Sequence, residues 1–232
     1  MILLVPPIPQ NHEFHDFADN SEFIKISNFW DVITNIPFII IGILGLFKIS
    51  RNRFPGILYD LINAYRMFFL GIILIGFGSG YYHFNPNNDS LFWDRLPITL
   101  SFMAFFTISL GESISTNTAS KLFYPLLLIG VLSVFYWDFT ESIGDGDLRI
   151  YGLVQFLPIL IIPLLLLLYK SVLTGKIWIF SIIASYGCAK ILELLDLQIY
   201  QWIGFSGHSL KHLMSAFGAY LFFVSFRYRR YL

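Results

Sequence analysis

Seven apolar stretches, each long enough to cross a bilayer and joined by short connections, leave this chain few folds to choose from. They run roughly over 29–50, 63–84, 91–111, 121–137, 150–169, 176–195 and 207–228. A helix needs about 20 largely apolar residues to cross the hydrocarbon core. Backbone polar groups cannot go unpaired in lipid, so each run is read as a helix. A closed barrel would need short alternating strands, and continuous apolar runs have the wrong period. The expected fold class is an all-α integral membrane protein, a seven-transmembrane helix bundle. Residues 1–28 form an extracytoplasmic tail and 29–232 the transmembrane domain. Composition agrees, with 13% charged residues against about 25% in soluble domains. The single Cys188 allows neither an internal disulfide nor a cysteine-based zinc site. The start MILLVPPIPQ lacks a basic segment and is broken by prolines, so it is not read as a signal peptide.

The formal net charge of +0 hides an asymmetry. With the N-terminus outside, ten of the fifteen Lys and Arg residues fall on inner loops and the C-terminal tail: Lys48, Arg51, Arg53, Arg66, Lys121, Lys170, Lys176, Arg227, Arg229 and Arg230. The positive-inside rule then places the N-terminus outside and the C-terminus in the cytosol. The partners expected are the bilayer and a membrane lipid, not nucleic acid. The host membrane stays open between a bacterial inner membrane and the endoplasmic reticulum or Golgi.

This topology brings distant polar residues to one interface. The second span ends near His83 in GSGYYHFNPNNDSLFWDRLP, the third starts near Asp94, and the seventh starts near His208 in FSGHSLKHLM. Ser79 and His83 are spaced i,i+4, as are His208 and His212, so each pair shares a helix face. Ionisable groups in a membrane are costly and face a partner or a wet cavity. Three imidazoles leave a tetrahedral zinc an open position for water, whose pKa falls to about 7. Asp94 could then take a proton, and Ser79 could support the oxyanion. Each residue also has a plainer reading. An i,i+4 histidine pair can cap a helix, Ser79 can bond its own backbone, and Asp94 can pair with Arg95.

The order S-x3-H, then WDRLP, then H-x3-H resembles the CREST superfamily of membrane hydrolases, and most of all the alkaline ceramidase family. The stretch AKILELLDLQIYQWIGFSGHSLKHL and the first-span entry FWDVITN share in the likeness, which covers roughly a quarter of the chain. The resemblance implies a zinc ion held by His83, His208 and His212, with Asp94 and Ser79 as the catalytic aspartate and serine. It implies hydrolysis of the ceramide amide to a sphingoid base and a fatty acid. Hydrolysis of another lipid amide or ester, or a seven-helix receptor with a structural zinc, are the alternatives. A related receptor branch shares the motif with its N-terminus in the cytosol, and the charge asymmetry favours the ceramidase branch.

The resemblance also raises calcium, for which Asp16, Asp19 and Glu22 are the candidate ligands in the acidic tail. Calcium prefers such oxygens. Here the acids stand closer to FWD than in the family pattern, the Trp-Cys pair is absent, and Asn28 occupies a position expected to be acidic. A solvated tail is the alternative, and His12 and His15 are read as tail residues. Lys190 and Glu193, three apart in the sixth span, are read either as an ion pair or as outer support, with Glu193 accepting a ligand histidine's N–H.

Overall fold

A computed structural model describes residues 5–232, so Met1–Leu4 of the apolar start, and the side chain of His12, lie outside the described residues. A short 3-10 turn, His12–His15, and a two-residue hairpin, β1 (Glu22–Phe23) with β2 (Ile26–Ser27), precede the first helix. That helix comes in two pieces, α1 (Phe29–Ile33) and α2 (Ile36–Arg51). There follow α3 (Ile62–Phe84), α4 (Asn88–Ser113), α5 (Thr116–Ser142), α6 (Arg149–Leu168), α7 (Lys176–Leu194), α8 (Asp196–Ile203) and α9 (Gly207–Tyr228). Six helical segments, beginning at Phe29, Tyr59, Asn88, Thr116, Arg149 and Lys176, are long and apolar enough to cross a membrane. The chain is thus a multi-pass, all-helical membrane protein. α9 is 22 residues long, about 33 Å at 1.5 Å per residue, but it stands outside those six.

Two details depart from the hydropathy reading. The fourth run, expected over 121–137, is a helix of 27 residues because Ser115 caps it a turn earlier and polar residues to Ser142 continue it. The segment after the sixth run, apolar only in part, forms the eight-residue α8. Helix starts follow local chemistry. Asn87 and Ser90 make a reciprocal capping box at α4, and Ser206 accepts from Ser209 N at α9, at 2.9 Å. Pro97, Pro125, Pro158 and Pro163 sit inside helices, which membrane helices tolerate.

The core is an aromatic stack between α3, α4 and α9. The Phe222 ring lies 4.8 Å from Phe68, 5.3 Å from Phe105 and 5.8 Å from Tyr65. Large apolar side chains such as Ile43 on α2 and Leu164 and Leu167 on α6 face outward, as a lipid solvent allows. At the end remote from the histidines, Arg229 pairs with Glu112, both side chains being 2% exposed or less. Ser171 donates to the same carboxylate at 2.5 Å, and Leu173 bridges to Tyr231. At the histidine end, residues of the tail pack on the bundle: Ala18 N donates to Asp196 Oδ2 at 3.0 Å.

Candidate metal centre and substrate cavity

Close helix approach sets the site. Gly78 on α3 packs so tightly on α4 that a Cβ there would lie 2.1 Å from Trp93 O. Only glycine permits this spacing, which brings the Ser79–His83 face of α3 beside Asp94. Gly207, at the start of α9, plays the same part against α7 and α8, where a Cβ would lie 2.4 Å from Leu192 O. The carboxylate of Asp196 then accepts His208 N at 2.9 Å, using the negative charge that a helix N-terminus favours.

The result is a buried cluster. One ligand nitrogen from each of His83, His208 and His212 lies within 4.8 Å of the others, and among the described residues this is the one group of three or more histidines, cysteines or acids that could hold a metal ion. The three side chains are 1%, 4% and 2% exposed. Phe17 of the tail covers them, its ring centroid 4.5 Å from His83 and 4.7 Å from His208. His83 Nδ1 is buried with no hydrogen-bond partner. An unsatisfied buried nitrogen is costly, and coordination to a cation satisfies it. Three neutral imidazoles suit a borderline metal such as zinc. The residues present therefore fit a metal ion.

The outer contacts orient this cluster. Thr34, in the break between α1 and α2, donates to Trp30 O at 2.7 Å and stands 3.0 Å from His212 Nδ1. With its proton committed to Trp30, the Thr34 oxygen accepts from His212 Nδ1–H, an assignment made from the network. That leaves His212 Nε2 as the free ligand atom, 3.5 Å from Ser79 Oγ. Ser79 also interacts with the Asp94 carboxylate. Asp31, fully buried, accepts from Ser206 and Ser209 at 2.9 and 2.5 Å, tying α1 to the first turn of α9.

Glu193 reaches the histidines indirectly. Its two oxygens are taken by Lys190 and by Lys211, the latter at 2.7 Å. Lys211 in turn sits 3.1 Å from His208 Nε2. Of the two readings of this pair, the Lys190–Glu193 ion pair is present, and Lys211, one turn along from His208, stands between Glu193 and the histidine. The tail acids do not converge into a metal-binding group. Asp16 and Glu22 are exposed. Asp19 is buried and spent on the chain: Oδ2 accepts Trp30 N and Asp31 N, and Oδ1 accepts Ser21 N and Oγ. His15 bonds Tyr82 and Asn88 and joins no metal cluster.

Beside the cluster lies a cavity of about 350 Å³. Ser79, Asp94, Lys211 and His212 line one part of it, and apolar side chains including Phe68, Ile72, Phe105 and Ile182 line another. An apolar slot ending on polar groups is the shape a lipid with a polar linkage fills. Lys211 and Thr34 were not singled out from the sequence. A helical reading of the HSLKH spacing would have placed Lys211 beside His208, but nothing local marks Thr34, which meets His212 across 178 positions.

The sequence model of the ceramidase family matches residues 21–157 of this chain. The matched span is more than half of the chain and contains Ser79, His83 and Asp94; His208 and His212 lie beyond it. No curated protein matches the chain. By that match the chain belongs to the ceramidase family, and it is a ceramidase-like amide hydrolase of sphingolipid metabolism.

Proposed function

We propose that the chain is a zinc-dependent amidase that hydrolyses ceramide, or a close lipid amide, within the membrane. The observation that carries this reading is the buried trio of His83, His208 and His212 at the polar end of a lipid-sized cavity. When held by these imidazoles, zinc supplies Lewis acidity, polarising a carbonyl and acidifying water. Asp94 accepts a proton from the attacking water and delivers it to the leaving amine. The C–N bond breaks, a C–O bond forms, and the products are a fatty acid and a free amine. Ser79 donates to the carbonyl oxygen as charge develops there. Phe17 shields the histidines, keeping competing water out, while the apolar wall holds the acyl chain.

Seven crossings, with α9 as the last, and an N-terminus outside complete the reading. What supports them is the length of α9 and the basic residues at the end remote from the histidines, which the positive-inside rule puts in the cytosol. The site then opens on the extracytoplasmic half of the bilayer.

The test is purified protein in detergent, assayed by mass spectrometry against ceramides, other N-acyl lipids and phospholipids, with metal content measured in parallel. The parent protein is expected to contain zinc and cleave an amide. Asp94→Asn should lose about 10²–10⁴-fold in kcat while keeping its zinc, and His212→Ala should lose the metal. Full activity in Asp94→Asn, or a metal-free parent at neutral pH, would overturn the mechanism.

A further inference from the structure

Asp94 has a neighbour that the mechanism does not use. Arg95 is 5% exposed, and it lines the same cavity as Asp94. Its Nη2 donates to Gln10 Oε1 of the tail at 2.6 Å. Its guanidinium stands over the rings of Trp137, Tyr151 and Phe14, 4.1, 4.9 and 5.6 Å from the centroids. No carboxylate of the described residues pairs with it. The nearby Glu141 is held instead by Gln10 N at 2.5 Å and Trp137 Nε1 at 3.2 Å. Nη1 is buried with no hydrogen-bond partner at all.

A buried cation with no carboxylate in contact is expensive; Asp94 and Glu141 act on it only through space, and three aromatic faces recover only part of the cost. The rest of the cavity does not supply the missing charge. Lys190 and Lys211 share the single carboxylate of Glu193. With Asp94 counted, the lining holds three cations against two anions. A guanidinium with an unpartnered Nη1 is well matched to an oxygen of a carboxylate or phosphate.

We propose that Arg95 is a specificity residue which binds an anionic oxygen group, carboxylate or phosphate, on the amine half of the lipid amide. This rests on the amidase reading above and, among the close lipid amides it allows, favours those that carry an anionic group over neutral ceramide. Arg95 follows Asp94 directly on α4 and faces the cavity alongside Phe14, Leu148 and Tyr151, whereas the acyl chain takes the Phe68, Ile72 and Phe105 wall. On this proposal the anion takes the Arg95 side of the cavity and the acyl chain the opposite wall. Hydrolysis proceeds as before: water's oxygen joins the acyl carbon, its proton goes to the amine, and the anionic amine leaves.

The experiment compares N-oleoylglycine and ceramide 1-phosphate with two neutral amides, ceramide and N-oleoylethanolamine. The anionic substrates are expected to show kcat/KM about 10–100-fold higher, as a charged hydrogen bond is worth. Arg95→Met should erase that margin and leave the neutral amides within about threefold, and Arg95→Lys should keep part of it. Equal rates for anionic and neutral amides in the parent protein overturn the proposal, and this holds even if neither variant folds. Binding of N-dodecanoylglycine, N-dodecanoylethanolamine and dodecanoate, read by thermal shift, separates the remaining cases. If nothing is cleaved but N-dodecanoylglycine still binds better than its neutral counterpart, and Arg95→Met abolishes the difference, the amidase reading fails and the anion subsite stands. If only dodecanoate depends on Arg95, the residue holds the product's carboxylate and the headgroup assignment is wrong.

Discussion

Replacing Gly78 with alanine tests whether the site depends on how closely α3 and α4 approach. The added Cβ would sit 2.1 Å from Trp93 O and 2.9 Å from its carbonyl carbon, where ordinary contact begins at 3.4 Å. Both obstacles are backbone, so no side chain can swing aside. The helices must part by about 1 Å or more, since overpacked interiors resist local relief. Such overpacking typically costs about 1–3 kcal/mol. Its effect on chemistry should be larger. Ser79 and His83 ride on α3 and Asp94 on α4, so the separation opens the distance between the proposed metal ligand and the proposed proton acceptor, and a displacement of about 1 Å can cost about 10²-fold in rate. Gly187→Ala, with nothing within 4 Å of its Cβ, is the matched control. The assay is kcat with metal content and melting temperature for both variants. Gly78→Ala should lose about two orders of magnitude in kcat and melt lower, and Gly187→Ala should match the parent. Parent-like turnover by Gly78→Ala would show that the site does not rely on this contact.

Other consequences follow from single contacts. Thr34→Val removes one of the groups that hold His212 Nδ1–H and should weaken metal binding about 10–100-fold, measured by competition with a zinc chelator; unchanged affinity would refute the orienting role. Glu112→Gln leaves the buried Arg229 without its counter-ion and should cost about 3–5 kcal/mol, read as a fall in melting temperature in detergent. Between α5 and α6, hydrogen bonding from Arg149 holds the Asp147 carboxyl well below the usual carboxylate range, with Tyr136 assisting. A depressed folded-state pKa adds stability above the unfolded value and loses it as pH falls through the folded one, so the parent should lose this increment below about pH 4. Asp147→Asn should flatten that acid limb in melting curves taken from pH 7 to pH 3. Asp19→Ala removes the acceptor for the first N–H groups of α1 and should cost about 0.5–2 kcal/mol, whereas calcium chelation should leave the parent's melting temperature unchanged.

The helical runs were legible because lipid imposes a length and an apolar composition on each crossing. Their ends were less so, since the extension of α5 to Ser142 depends on polar residues that hydropathy discounts. The His83, His208 and His212 cluster was legible for a different reason: the up-and-down order of spans converts sequence position into depth, and i,i+4 spacing converts it into a face. The exact depth match of His83 and His208, by contrast, depends on Gly78 and Gly207, whose role appears only once the opposing backbone is known. Glu193 was legible in part, since its ion pair with Lys190 stands. Spacing put Lys190 beside it, but Lys211 comes from another helix, 18 positions away.

The tail shows why acidic residues are the hardest to assign from sequence. Asp19 reads as a calcium ligand or a solvated residue, and nothing local marks the partners of Asp31 and Asp196, yet each spends its carboxylate on the chain's own donors. Asp19 accepts the backbone of α1, Asp31 the hydroxyls of Ser206 and Ser209, and Asp196 the amides of Ala18 and His208. Charge-assisted bonds of this kind are the strong ones, and in a setting poor in water they have few competitors. Together they fasten the tail and α1 to the start of α9, the helix that carries two of the three histidines. The N-terminal tail and the start of the last helix are thereby joined at the histidine cluster. A carboxylate's partner is set by which backbone amides the fold leaves unpaired, and that is a property of the assembled helices, not of the residues flanking it.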